Sequence, residues 1–168
     1  DCYRTIKRNA PGLKLKSVYE IIVENGLPEG ARASTPKTFA LHDSCTARGE
    51  EKIMENVRSL IKEMGYQIEE MEYSRDKTRC CAAGGMIPYA DSKLYFTLAK
   101  RRADETPFDM VTYCAACRET FASVGKPAIH VLDLIFSSDW EKNMHKPPQT
   151  GKARREKQAE LKNLIAAR

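Results

Sequence analysis

The sequence lacks the features that several large functional classes require. No apolar run approaches the roughly 20 residues of a membrane-spanning helix, and the first residues contain no apolar core of a signal peptide. No Walker A motif occurs, no G-x-G-x-x-G follows a predicted strand, and nothing resembles a Ser/His/Asp catalytic set. We therefore expect no nucleotide site, and we expect a cytoplasmic protein that partner subunits could hold at the inner face of a membrane.

The net positive charge is small on the part of the chain that is expected to fold. The net charge is +5 over 168 residues, but residues 151–168 hold six Lys/Arg and two Glu. Residues 1–150 therefore carry a net charge of only +1. Because a nucleic-acid surface needs positive charge clustered on the folded part, nucleic acid is not an expected partner. We expect residues 151–168 to be a basic tail that forms a peripheral helix or is poorly ordered.

What is present is the pattern of a small α/β domain. Hydrophobic residues make up 42% of the chain and charged residues 30%, which is typical of globular proteins. Short apolar runs predict strands that alternate with amphipathic helices; the strands are expected at 37–43, 66–73 and 107–113, and the helices at 50–65, 91–105 and 128–139. Such alternation predicts a small, mostly parallel sheet flanked by helices.

Cysteine is the most informative residue type. The chain has six cysteines, at Cys2, Cys45, Cys80, Cys81, Cys114 and Cys117. Without a secretion signal, such a set favours metal or redox chemistry over disulfides. All but Cys2 follow predicted strands directly or after one loop, and sites in parallel sheets form beyond the carboxyl ends of the strands. We therefore predict a Cys-rich metal site there, with Cys2 apart from it.

The spacing of these cysteines narrows the chemistry. A C-x-x-C that opens a helix, as Cys114 and Cys117 do, favours thiolates through backbone N–H groups and the helix dipole. The run CCAAGG sets two sulfurs side by side and has glycines that allow close backbone approach. Five thiolates exceed the four that tetrahedral zinc uses, whereas an iron–sulfur cluster is the other thiolate-rich centre. Both centres stay open on this ground.

Residues around the cysteines have two possible roles each. His42 is either a ligand or a hydrogen-bond partner of a thiolate or the backbone, and Asp43 is expected to be a cap or turn residue. Tyr113 and Phe121 are expected in the core. Three arginines near the cysteines either offset thiolate charge or are solvated: Arg48, Arg79 and Arg118.

The segments HDSC, CCAAGG and YCAACRETF together resemble the cysteine-rich CCG domain. That family includes one of the subunits of heterodisulfide reductase, and subunits of anaerobic glycerol-3-phosphate dehydrogenase and of lactate-utilisation complexes. The resemblance covers about residues 38–136, and DCYRTIK resembles the end of a preceding repeat. It implies a fragment of a longer protein with four parts: the helical end of a preceding repeat (1–30), a linker (31–37), the CCG-type domain (38–150) and the basic tail (151–168).

The resemblance also implies a cofactor and a function. It implies a noncubane 4Fe-4S cluster held by Cys45, Cys80, Cys81, Cys114 and Cys117, although some family members bind zinc in one repeat. The domain would then belong to a heterodisulfide-reductase-like oxidoreductase, in which a flavin or Fe–S partner supplies electrons for a disulfide or quinone-type acceptor. The alternative is a zinc-binding structural or assembly domain of an oxidoreductase complex. Ala82 stands where the family pattern has Gly, a change that costs little unless the backbone needs a positive φ.

Overall fold

Four parallel strands form one sheet in this computed structural model, which describes residues 2–31, 33, 35–146 and 151–166. The strands are β1 (Thr38–His42), β2 (Gln67–Glu70), β3 (Met110–Thr112) and β4 (Ala128–His130). Every strand pair within the sheet is parallel. The predicted α/β class with a helix-flanked sheet is therefore confirmed.

Helices precede, connect and follow these strands. They are α1 (Cys2–Asn9), α2 (Val18–Asn25), α3 (Glu51–Glu63), α4 (Ile87–Ala90), α5 (Ser92–Asp104), α6 (Ala115–Ser123), α7 (Val131–Phe136), α8 (Trp140–Met144) and α9 (Gly151–Ala166). Asp91 caps α5 as predicted, because its side chain accepts a hydrogen bond from Leu94 N at 2.8 Å. No helix of the described chain is both long and apolar enough to cross a membrane.

The order of the strands, β2-β1-β3-β4, determines where along the sheet a binding site is expected. The chain runs from β1 outward to β2 and then returns past β1 to β3. In open α/β sheets, ligands bind at the carboxyl ends of the strands where the order reverses, which here is between β1 and β3. His42, the last residue of β1, is in register with Thr112, the last residue of β3. The residues that follow these two strands therefore meet at the switch point.

Alternate residues of the strands serve two separate cores. Leu41 and its neighbours on one face pack against α2, α3, α7 and α8. Ala40 and its neighbours on the other face pack against α5 and α6. Phe39, which is fully buried in the first core, contributes about 1.5–3 kcal/mol by leaving water. The same alternation sends His42 and Asp43, the next two residues, to opposite faces.

Two predicted elements differ from the structure. The strand expected at 66–73 is shorter, since pairing with β1 ends at Glu70. The segment expected as one helix at 128–139 begins instead as β4, because Ala128, Ile129 and His130 pair with β3 and complete the sheet. His130 then caps α7 by accepting a hydrogen bond from Leu132 N. Helical periodicity in this short apolar run therefore masked a buried strand.

The ends of the chain are helical where the structure describes them. Helix α9 exposes its side chains over 155–166, which agrees with the peripheral helix predicted there. At the other end, α2 packs on α3 through Tyr19 and Ile22, which are buried. The division of the chain into a preceding repeat, a linker, the CCG-type domain and a tail stays a prediction, and residues 147–150 lie outside the described chain.

Candidate metal centre

Three loops at the carboxyl edge of the sheet carry the five cysteines of the motif. Cys45 begins a short 3₁₀ turn after β1. Cys80 and Cys81 follow β2 and a second 3₁₀ turn. Cys114 comes two residues after β3 as the N-cap of α6, and Cys117 lies in the first turn of that helix. The strand order brings all three loops to one place.

Two sulfur–sulfur contacts join cysteines of different loops. Cys45 Sγ lies 3.9 Å from Cys80 Sγ, and Cys81 Sγ lies 3.1 Å from Cys117 Sγ. Within the loops, Cys80 also interacts electrostatically with Cys81, and Cys114 with Cys117. Both measured separations exceed the roughly 2.05 Å of a disulfide, and the thiols are free. The predicted clustering of cysteines near the ends of the strands is confirmed, whereas the side chain of Cys2 lies outside the described part of the chain.

Burial divides the site into an open and a closed part. Cys81 and Cys117 are only 2% and 3% exposed, whereas Cys80 is exposed and Cys45 and Cys114 are half-buried. The closed part belongs to the core between the sheet, α5 and α6. A group held here would therefore touch both the protein interior and the solvent.

Hydrogen bonding within the cluster polarises the thiols. The pKa of Cys80 is held far below its usual 9.0, because the thiols of Cys45 and Cys81 and backbone N–H groups donate to it. The pKa of Cys114 falls to about 5, chiefly through a hydrogen bond from Cys117. The donors show the reverse effect: the pKa values of Cys45 and Cys117 are raised by these same hydrogen bonds and by burial. The metal-free site thus presents two thiolates to a cation.

The turn after the vicinal pair has a left-handed backbone. Ala82 has φ +77° at the position where the family pattern has Gly, and Gly85 has φ +66°. This turn lets Ala82 N donate a hydrogen bond to Cys80 Sγ at 3.3 Å. A non-glycine residue in this conformation costs roughly 1–2 kcal/mol. Because its φ is positive, Ala82 is less favourable here than the Gly of the family pattern would be.

Asp43 ties the three cysteine loops together. Its carboxylate accepts bonds from Arg75 N at 2.6 Å, before Cys80, and from Tyr113 Oη at 2.9 Å, next to Cys114. Arg58 of α3 donates to both carboxylate oxygens, at 3.0 and 2.7 Å. Burial opposes ionisation of Asp43, but these bonds outweigh it and hold the pKa below 3.8.

Sequence reasoning assigned Asp43 only a cap or turn role and missed this network. A signal for it exists in α3, because Arg58 lies at a core position of the helical pattern, between Val57 and Leu60. The guanidinium is 3% exposed and also binds Glu70 of β2. A charged residue at a core position needs a buried partner, and Asp43 is that partner.

The three flanking arginines have different roles. The hydrogen bond to Cys80 and burial dominate the pKa of Cys45, and the charge of Arg48 acts against them by lowering it. Arg79 instead binds Glu105 at 2.7 Å and lies over the Tyr73 ring. Arg118 donates to the carbonyl oxygens of Asn143 and Lys146 and so fixes the segment after α8. Charge compensation is thus supported for Arg48. Tyr113 and Phe121 are in the core, as predicted.

His42 lies on the opposite side of β1 from Asp43 and is fully buried. One of its ring nitrogens is within 4.8 Å of the sulfurs of Cys81 and Cys117. Its Nδ1 accepts a hydrogen bond from Arg102 Nε at 3.2 Å, and within the described chain its Nε2 has no partner. Burial and the charge of Arg102 lower the pKa of His42 to about 3, so the imidazole is neutral.

A cavity of about 650 Å³ opens beside the thiol cluster. It lies between the N-terminal helices and the start of α6, and Cys114 forms part of its wall. Apolar and basic side chains from the N-terminal part contribute to it: Arg4, Ile6, Lys16, Val18 and Tyr19. A small molecule in this space could approach the site from the side of Cys114.

The ligand atoms available at this site determine which metal or cofactor it can bind. It contains five sulfur atoms and one buried imidazole within reach of two of them. Soft thiolates select zinc, copper(I) and iron–sulfur clusters and are poor ligands for magnesium or calcium. Fold and site together define a thiol-rich α/β domain whose residues suit a soft metal or an iron–sulfur cluster.

The chain belongs to the CCG cysteine-rich domain family. That family's model matches residues 39–122, which is half of the chain. An uncharacterized iron–sulfur protein of Methanocaldococcus jannaschii is similar to the chain, with 28% identity over 122 residues. The match covers 69% of this chain but 24% of that relative, so the chain spans about a quarter of the relative's length. No solved structure matches the chain significantly.

Proposed function

We propose that this chain is the iron–sulfur domain of a heterodisulfide-reductase-like oxidoreductase. Its ligands would be Cys45, Cys80, Cys81, Cys114 and Cys117, around a noncubane 4Fe-4S cluster. The observation that carries the proposal is that sulfur–sulfur contacts join the three cysteine loops, which together hold five thiols, one more than a tetrahedral zinc site uses. Membership of the CCG family and the similarity to a protein named for iron and sulfur support it.

The chain's own residues would prepare the site. Cys80 and Cys114 would bind a cation most readily as thiolates, because their pKa values are lowered. Asp43 holds the three cysteine loops together through its hydrogen bonds, and the closed part at Cys81 and Cys117 excludes water. When bound, the cluster would supply one-electron transfer.

The acceptor would be a disulfide or a related, quinone-type molecule. Reduction of a disulfide consumes two electrons and two protons and yields two thiols, so a flavin or Fe–S partner subunit must supply the electrons. The cavity beside Cys114 has room for a small acceptor. We further propose that residues 1–30 end a preceding repeat, that 31–37 is a linker, and that 38–150 is the functional domain.

Metal analysis after anaerobic preparation tests this function. We expect iron and acid-labile sulfide in the reconstituted wild-type chain, and we expect both Cys80→Ser and Cys81→Ser to abolish cluster binding. Cys2→Ser is the matched control, because Cys2 lies outside the five-cysteine motif, and it should retain the cluster. A chain that takes up one zinc and no iron, and tolerates loss of Cys80 or Cys81, would establish the alternative of a zinc-binding structural domain.

A further inference from the structure

His42 is a buried polar side chain that the five-cysteine site leaves unexplained. It is 0% exposed, and it is enclosed by the sheet, by α5 and by α6, where Phe121 packs edge-on against its ring at 4.8 Å. A buried nitrogen without a hydrogen bond loses its contact with water and gains nothing in return. Nε2 of His42 is such an atom within the described chain. The sulfurs of Cys81 and Cys117, which lie within 4.8 Å of a ring nitrogen of His42, are groups that can accept a hydrogen bond.

Arg102 determines which ring nitrogen carries the proton. Its Nε lies 3.2 Å from His42 Nδ1, and a guanidinium has only donors. Nδ1 must therefore accept, and the neutral ring keeps its proton on Nε2. Arg102 itself is fixed in this position, since it also donates to Tyr73 O at 2.7 Å and pairs with Glu105.

This arrangement argues against His42 as a metal ligand. A ligating histidine binds the metal through one nitrogen and donates its other N–H to a carboxylate or carbonyl. Here the second nitrogen faces Arg102, so ligation through Nε2 would require a ring without any proton. An N–H that donates to a cysteine sulfur instead stabilises negative charge on that sulfur when a metal binds, and it holds the sulfur in place.

We propose that His42 is a positioning residue that donates a hydrogen bond from Nε2 to the sulfur pair of Cys81 and Cys117, with Arg102 holding the required tautomer. The inference rests on the proposed function, because it assigns the surroundings of that site. It requires no sixth ligand. It predicts that another side chain can replace histidine if it places an N–H group near the position of Nε2.

Titration with Co²⁺ alone, under anaerobic reducing conditions, tests this assignment through the sulfur-to-cobalt absorption band. Replacing His42 by Leu should weaken Co²⁺ binding by about 10–100-fold, the usual effect of losing a group that supports a ligand. His42→Gln keeps an N–H near the position of Nε2 and should bind within a factor of about three of the wild type. His145→Leu, at an exposed histidine, is the matched control and should bind as the wild type does.

Each alternative outcome has a definite meaning. If His42→Leu binds like the wild type, or His42→Gln binds as weakly as His42→Leu, the assignment is overturned. If His42→Cys binds most tightly of the variants, His42 is a ligand and the assignment is also overturned. If the wild-type chain takes up no iron and no acid-labile sulfide in anaerobic reconstitution, the proposed function fails instead.

Nitrogen NMR of the wild-type chain provides a test that needs no variant. The ¹⁵N shifts of His42 should show a proton on Nε2 and none on Nδ1, and Co²⁺ or Zn²⁺ should perturb the Nε2–H signal. A proton on Nδ1 would overturn the assignment. His130, whose Nδ1 accepts from Leu132 N, is an internal reference for the same tautomer.

Discussion

Two adjacent residues at the end of β1 serve opposite sides of the sheet. Asp43 enters a network in which the carboxylate binds Arg58, Tyr113 and the backbone of Arg75. His42 faces sulfur atoms and keeps one nitrogen unpartnered within the described chain. The Asp43 side is complete without any added group, whereas the thiol side has donors and thiolates in excess. The Asp43 side therefore stabilises the fold, whereas the thiol side is suited to binding a soft metal or an iron–sulfur cluster.

The largest effect is expected on the Asp43 side. Asp43→Ala should lower the free energy of unfolding of the metal-free chain by about 3–5 kcal/mol, because it removes the buried partner of Arg58 and leaves only the exposed carboxylate of Glu70. Urea unfolding followed by circular dichroism measures this. Asp104→Ala, which removes a surface partner of Lys100, should change stability by less than about 1 kcal/mol. Equal effects of the two changes would show that the Asp43 network does not anchor the loops.

The left-handed turn that presents the thiols should give the next largest effect. Gly85→Ala should destabilise by about 1–2 kcal/mol through its positive φ, since the new methyl group would meet only Ile87 at an ordinary 3.9 Å. Ala82→Gly should stabilise by up to about 1 kcal/mol by the same logic. Gly84→Ala is the matched control, with open space and no positive φ. Thermal melts of the three variants measure these differences, and a loss at Ala82→Gly would contradict the role given to the turn.

A smaller effect on stability, joined to a complete loss of metal binding, is expected on the thiol side. Cys81→Ala removes one small buried side chain and should cost the metal-free chain about 1 kcal/mol. The same variant should bind no cluster in anaerobic reconstitution. Stability from urea unfolding and iron content are measured on the same preparation. A loss of stability as large as that of Asp43→Ala would erase the distinction between the two sides.

The smallest effect is expected far from both sides. Deletion of residues 151–168 should leave the free energy of unfolding within about 1 kcal/mol, because α9 exposes its described side chains. The deletion should not alter metal uptake. A collapse of folding would show that the tail docks on the domain.

Much of the site was predictable from the sequence because its signals are local. Cysteines that follow apolar runs, and a C-x-x-C that opens a helix, are visible in the order of residues alone. Parallel strands place their carboxyl ends at one edge, so convergence of Cys45 with Cys80, and of Cys81 with Cys117, followed from the alternation of strands and helices.

Other features depended on contacts between distant segments. The roles of His42 and Asp43 depend on which face each one enters, and on Arg102 and Arg58, which come from two different helices. Strand β4 formed within an apparent helix because β3 offered it an edge. The sequence by itself determined the α/β class and the thiol-rich edge, through periodicity and spacing. Only the tertiary structure decided that the Asp43 carboxylate finds hydrogen-bond donors and that Nε2 of His42, within the described chain, finds no partner. The physical reason is that hydrogen bonding in a core depends on packing between segments that are distant in sequence.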